Sequence, residues 1–179
     1  MTLNRGTIDL VIGGARSGKS SHAERQARAS GLAVTYIATA QAHDAEMSAR
    51  IAHHRERRPA AWRTVEETLA LAAALQRCAA ANTCLLVDCL TLWLTNVMLA
   101  ERTGEIDRLL DALPTLAGHI ILVSNEVGCG IVPENALARR FRDEQGRLNQ
   151  RIAARADNVT LVAAGLPLVL KHTPLPPAG

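Results

Sequence analysis

The chain has 179 residues, 48% of them hydrophobic, enough for one domain with a sizeable core and cramped for two. Its 20 basic and 17 acidic residues leave a net charge of +3, too mild an excess for the footprint of a DNA-binding protein. Aromatic residues make up 2% of the chain (Tyr36, Trp62, Trp93 and Phe141), so the core must come from Leu, Val, Ile and Ala, and stacking platforms for single-stranded bases are lacking.

In chain order, the first apolar run predicts a strand at Ile8–Ile12, followed by a glycine-rich turn and a helix at Lys19–Ala29. A strand at Ala33–Ile37 and a helix at Asp44–Arg57 come next, then a strand at Trp62–Val65 and a helix at Glu67–Ala80. The run "CLLVD" predicts a strand at Cys84–Asp88, with helices at Leu90–Ala100 and Ile106–Leu113 behind it. "HIILVS" gives a strand at His119–Ser124. "VPEN" opens a long helix at Pro133–Ala156, with Pro133 in the first turn and Gly146 marking a bend. Strands at Val159–Ala163 and Leu166–Leu170 close the pattern. Strands alternating with helices, several of them continuously apolar, predict an α/β fold: one domain over 1–179 with a mostly parallel sheet covered on both faces. Residues 1–6 and the proline-rich 172–179 are expected to be loose.

The four cysteines (Cys78, Cys84, Cys89 and Cys129) show no CxxC spacing, which suits reduced thiols in a cytosolic protein. No leader with an apolar core precedes the first strand, and no apolar run is long enough to span a bilayer. The expectation is a soluble, cytoplasmic protein.

The turn "GGARSGKS" fits the P-loop pattern, with Gly13, then Gly18, Lys19 and Ser20 in register. Glycines allow a tight turn whose backbone N–H groups point at phosphate oxygens, and the following helix adds its positive end. Gly13, Gly14, Ala15, Arg16, Ser17, Gly18, Lys19 and Ser20 are therefore candidate nucleotide contacts. Lys19 would reach the β- and γ-phosphates, and the Ser20 hydroxyl would help hold Mg²⁺. Asp88, a carboxylate closing an apolar strand, has the Walker B arrangement and is the second expected Mg²⁺ ligand.

Ligands of open α/β sheets collect at the carboxyl ends of the strands. Here those ends carry Gly13–Ser20, Ala38–Ala40, Glu66, Asp88 and "SNEVGCG". Glu66 reads equally as a ligand contact or as a surface carboxylate. No Asn-Lys-x-Asp motif for guanine is present, as a signalling GTPase would need. A small kinase acting on a metabolite hydroxyl fits the size best.

"RIAHHRERRP" places His53 and His54 side by side, about 100° apart around a helix, and not at the i, i+4 spacing of a metal pair. One reading is an exposed basic helix with incidental histidines. The other is nucleophilic: a neutral imidazole attacks phosphorus, and the phosphoramidate then passes its group to an oxygen acceptor, with Arg55, Arg57 and Arg58 offsetting phosphate charge.

Taken together, "GGARSGKSxHAE", "YIATA", "DxEMxxRIxHHRxxRP", "VDCLTLWLTN", "SNEVGxGIVPEN", "FRDxxGRLNQ" and "AAGLPL" resemble the bifunctional adenosylcobinamide kinase / adenosylcobinamide-phosphate guanylyltransferase family, from about Ile8 to Leu170. The resemblance implies a P-loop NTPase-like, RecA-like fold, a homotrimer and two reactions of cobalamin biosynthesis. Adenosylcobinamide is phosphorylated on its aminopropanol hydroxyl with ATP or GTP. GMP then passes from GTP to adenosylcobinamide-phosphate through a guanylyl-histidine, giving adenosylcobinamide-GDP and pyrophosphate. Motif matching implies His54 as that histidine, with His53 beside it, and nucleotide contacts at Ala38, Thr39, Ala40, Arg55, Glu56, Arg57, Arg58, Glu66 and Asp88. No nucleic-acid partner is expected. Two other classes remain open on the residues alone: a kinase with passive histidines, and a non-catalytic nucleotide-binding regulator.

Overall fold

The computed structural model of the protein describes residues 5–41 and 59–173. Seven strands are β1 (Thr7–Gly13), β2 (Ala33–Ala38), β3 (Arg63–Glu66), β4 (Thr83–Asp88), β5 (His119–Asn125), β6 (Asn158–Ala163) and β7 (Leu166–His172). The described helices are α1 (Lys19–Ala29), α2 (Leu71–Cys78), α3 (Leu90–Leu99), α4 (Gly104–Ala112) and α5 (Ala136–Arg155), with a short 3₁₀ turn at Leu113–Thr115. The helix expected at Asp44–Arg57 lies outside the described residues.

The strands form one sheet in the order β3-β2-β4-β5-β1-β6-β7. Every pairing is parallel except β6 with β7, which run antiparallel. Consecutive strand residues point to opposite faces, and both faces are covered. On one side Ile8, Leu10, Leu85, Val87, Ile120 and Leu122 pack with Leu75, Trp93, Leu109 and Ile152 from α2 to α5. On the other, Val11, Leu86, Ile121 and Val123 meet Ala23 and Ala27 of α1. Alanine on α1 matters because only a small side chain lets a helix lie this close behind the P-loop strand. The α/β architecture expected from the sequence, a mostly parallel sheet with helices on both faces, is the one observed.

Three helix starts differ from expectation, the mildest being α4, which begins at Gly104 ahead of the expected Ile106. The last helix begins at Ala136, not Pro133, because Asn135 supplies the cap: its Oδ1 accepts from the amides of Leu137 (2.8 Å) and Ala138 (3.1 Å). It then runs through Gly146 unbroken. Helix α2 begins at Leu71, not Glu67, because the Glu67 carboxylate instead accepts from the amides of Leu69 and Ala70 and closes a turn ahead of it. The chain ends expected to be loose are tied in where they are described. Arg5 pairs with Asp157, Gly6 N donates to Leu116 O, and Thr173 N donates to Asp157 O.

The end of the sheet where β1, β5 and β6 begin carries a buried polar group. Asp9 takes His119 Nε2 at 2.9 Å and Asn158 Nδ2 at 2.6 Å. His172 Nδ1 lies 2.8 Å from Asn158 Oδ1. The hydrogen bond to Asp9 raises the His119 pKa to about 9, with Cys84 adding to the rise and burial opposing it.

Candidate functional site

The opposite end of the sheet gathers the expected site. Ala38 pairs with Glu66 on one side and with Asp88 on the other, so these three share one level of the rim. Asp88 pairs in turn with Val123, and Gly13 pairs with Asn125 one step further along. Topology alone brings residues 13, 38, 66, 88 and 125 to the same edge.

The turn from β1 into α1 is built around two glycines. A Cβ on Gly13 would stand 2.5 Å from both Ser17 Oγ and the Val162 carbonyl, closer than real Cβ contacts come. Gly18 sits at φ +93°, the left-handed region, as the residue before α1. Arg16 is also left-handed, at φ 55°. Ala15 and Arg16 are exposed, whereas Ser17 turns inward and its hydroxyl is buried with no partner among the described residues. Lys19 Nζ lies across the turn, 3.2 Å from the Gly14 carbonyl. The loop is braced from outside by the two-residue turn joining β6 to β7: Gly165 N donates to Ser17 O at 2.8 Å.

Ser20 and Asp88, 68 positions apart, meet beneath this turn, with Ser20 Oγ 3.4 Å from Asp88 Oδ1. The other carboxylate oxygen accepts from the Tyr36 hydroxyl at 3.0 Å. The next residue, Cys89, is buried, and burial first and the Asp88 charge second push its thiol pKa up to about 11. Both effects favour the protonated thiol. All four cysteines are free, and only Cys129 is exposed.

The segment after β2 divides by exposure. Ala38 and Ala40 are half-buried. Thr39 is fully buried, its hydroxyl donating to the Cys89 carbonyl at 2.7 Å and its own carbonyl accepting from Asn96 Nδ2 at 2.9 Å. It fastens the ends of β2 and β4 to α3. Glu66 is exposed at the end of β3. His53, His54 and residues 55–58 lie outside the described residues.

Sequence reasoning did not single out the groups that hold the rim in place. Tyr36 is one. A buried cluster at the end of β5 is another: Ser124 Oγ donates to Asn149 Oδ1 (2.7 Å), and Gln145 Nε2 donates to both. Asn149 Nδ2 donates to Asn125 O, while Asn125 N donates to Thr91 Oγ1 and Glu126 N to Gly13 O. This chain of bonds fixes "SNE" against the P-loop strand. The signal available was "QGRLN", whose Gln145 and Asn149 are four apart on one helix face.

Among the described residues no cluster of three or more His, Cys, Asp or Glu could hold a metal, and no helix is long and apolar enough to cross a membrane.

Comparison with known proteins gives a consistent match. The model of the family described as cobinamide kinase / cobinamide phosphate guanyltransferase matches residues 9–170. The bifunctional adenosylcobalamin biosynthesis protein CobP of Pseudomonas aeruginosa is 61% identical over 171 residues, covering 93% of this chain and 99% of that protein. The bifunctional adenosylcobalamin biosynthesis protein CobU is 45% identical in Salmonella typhimurium and 42% in Escherichia coli, each covering 90% of this chain and 98% of the relative. Among solved structures, the RadB recombinase aligns with a TM-score of 0.48 at 16% identity, over 89% of this chain and 75% of that one.

Proposed function

The chain belongs to the cobinamide kinase / cobinamide phosphate guanyltransferase family, and on that premise we propose how its residues divide two reactions between them. It is a bifunctional enzyme of adenosylcobalamin biosynthesis, a kinase and a guanylyltransferase. In the first reaction a nucleoside triphosphate gives its γ-phosphoryl group to the hydroxyl of adenosylcobinamide. In the second, His54 attacks the α-phosphorus of GTP and pyrophosphate leaves. The GMP so held on the imidazole then passes to adenosylcobinamide-phosphate, giving adenosylcobinamide-GDP and freeing the ring.

The observation that carries this reading is the meeting of Ser20 and Asp88 beneath a glycine turn that admits no side chain at Gly13. Backbone N–H groups of residues 13–20 would cradle the phosphates, and the Lys19 ammonium would move from the Gly14 carbonyl onto them. A hydroxyl and a carboxylate 3.4 Å apart are hard oxygen donors, a pair that suits Mg²⁺ with phosphate oxygens and water completing its shell. Ser20 and Asp88 would hold the ion, which neutralises charge on the β- and γ-phosphates when bound. Ala38, Thr39, Ala40 and Glu66 flank Asp88 and would border the nucleotide, Thr39 through its backbone. Arg55, Arg57 and Arg58, with Glu56 among them, follow the nucleophile and would offset the α-phosphate charge as it is attacked.

Intact-protein mass spectrometry after exposure to GTP tests the covalent step. The protein should gain the mass of GMP, and the adduct should be acid-labile and base-stable as a phosphoramidate is. His54→Ala should lose the adduct and keep kinase activity. A persistent adduct in that variant moves the nucleophile elsewhere, with His53 the first place to look. A homotrimer working in the cytoplasm completes the proposal. Four large apolar side chains on β7 (Leu166, Leu168, Val169 and Leu170) are more than half exposed and support self-association, which light scattering would measure.

A further inference from the structure

A cavity of about 320 Å³ opens between the C-terminal half of α3 and the first turns of α5. Met98, Leu99, Leu137 and Phe141 form its apolar walls, with Thr95 and Asn135 as polar members. Both polar side chains are turned to the protein's own backbone. Thr95 Oγ1 donates to Thr91 O at 3.0 Å, and Asn135 Oδ1 is taken by the two amides it caps. What remains for a ligand is apolar contact over most of the walls, with the Asn135 Nδ2 donors at the α5 end.

The cavity belongs to the same rim as the P-loop. Helix α3 is stitched along the strand ends, through Thr91 to Asn125 beside the P-loop strand and through Asn96 to Thr39 after β2. Helix α5 starts from the loop that leaves β5, and its first buried residue is Gln145, bonded to Ser124 near the end of β5. The roughly two and a half turns before Gln145 therefore project past the sheet. Leu99 and Leu137 wall the groove and are more than half exposed, while Ile131 and Val132, on the loop entering α5, are exposed as well. Large apolar side chains left uncovered at the rim of a ligand site mark a surface that something covers.

We propose that this groove seats an apolar edge of the corrinoid macrocycle of the acceptor, and that it does so in both reactions. The inference rests on the family reading above and names the substrate subsite that goes with it. A corrin ring carries methyl groups around its periphery between amide arms, and a methyl-bearing edge matches walls of Met, Leu and Phe with no hydrogen-bonding demand. The volume sits near the lower end of the ~300–1,000 Å³ typical of ligand pockets, so it takes an edge and leaves the rest of the ring to the exposed loop. A second triphosphate is a poor occupant because no cation among the described residues lines the walls. A peptide strand is equally poor, since helix faces offer no backbone partners.

The test uses the full chain and the double variant Leu99→Ser/Leu137→Ser, whose positions are exposed enough for the fold to be kept. Steady-state kinase kinetics would be measured with adenosylcobinamide and GTP, alongside equilibrium dialysis of cobinamide without nucleotide. The KM and dissociation constant for the corrinoid should rise at least tenfold. The KM for GTP should stay within twofold, and the mass in light scattering should equal that of the wild type. Corrinoid constants within twofold of wild type overturn the proposal. So does a change in oligomeric mass, which would make the groove a contact between copies. A wild-type protein that neither binds nor phosphorylates cobinamide overturns the family reading itself, a failure visible before any variant is made.

Discussion

Tyr36 and Asp88, on adjacent strands, are joined by a 3.0 Å hydrogen bond from the phenol to Asp88 Oδ2, which leaves Oδ1 turned to Ser20. A carboxylate at a strand end can rotate, and this bond removes that freedom. Tyr36→Phe keeps the ring, which is buried, and deletes only the donor. Outer-shell partners of this kind typically tune metal affinity or activity by about 10–100-fold. The expected outcome is a Mg²⁺ concentration for half-maximal rate raised about tenfold, seen by titrating Mg²⁺ in the kinase assay. An unchanged Mg²⁺ dependence would remove Tyr36 from the positioning role.

Lys19→Ala and Asp88→Asn strike the shared cradle and so should damage both reactions. Removing one preorganised electrostatic contact typically costs about 10²–10³ in kcat. Both variants should fall by that order in phosphorylation and in GMP uptake, with circular dichroism unchanged. A variant that loses one reaction and keeps the other would show that the two do not share this seat.

Gly13→Ala adds a Cβ that has nowhere to go, facing the Val162 carbonyl within the sheet. Overpacking of this kind costs about 1–3 kcal/mol. The midpoint of thermal unfolding should drop, and GTP affinity by calorimetry should weaken along with it. By contrast Gly14→Ala meets nothing within 4 Å and should be nearly silent in stability.

The His119–Asp9 pair predicts a pH dependence of stability. Because folding raises the His119 pKa from 6.5 to about 9, its stabilisation is full below pH 6.5, declines as pH rises, and is gone above about 9. The amount is on the order of 2–3 kcal/mol once solvent screening of the partly exposed pair is allowed for. His119→Gln should therefore be less stable than wild type at pH 6 and nearly equal to it at pH 9.5, as read from denaturant midpoints. A constant gap between the two across that range would refute the linkage.

Why the strands and the P-loop were legible and the supporting bonds were not follows from what sequence encodes locally. β4 and β5 are apolar runs of strand length, and burial on both faces leaves that composition little alternative. The phosphate turn needs glycine at Gly13 and Gly18 for steric reasons internal to a short segment. The α5 start was misread because two helix-start signals, Pro133 and Asn135, stand two residues apart, and the capping hydrogen bonds decided for the second. Tyr36 carries no local mark, and the rim position of Ser124 and the four-residue spacing of Gln145 and Asn149 do not name the groups they bond. Their partners are fixed by which strand lies beside which, a property of topology that spacing along the chain does not record.

The brace between Gly165 and Ser17 has a consequence for synthesis. The phosphate-binding turn leaves the ribosome well before the residues that hold it from outside, Val162 and Gly165. A nascent chain missing its final hairpin carries every residue of the cradle and lacks the wall that gives it shape. Nucleotide capture therefore awaits translation of β6 and β7, and products terminated ahead of them should be unable to sequester GTP.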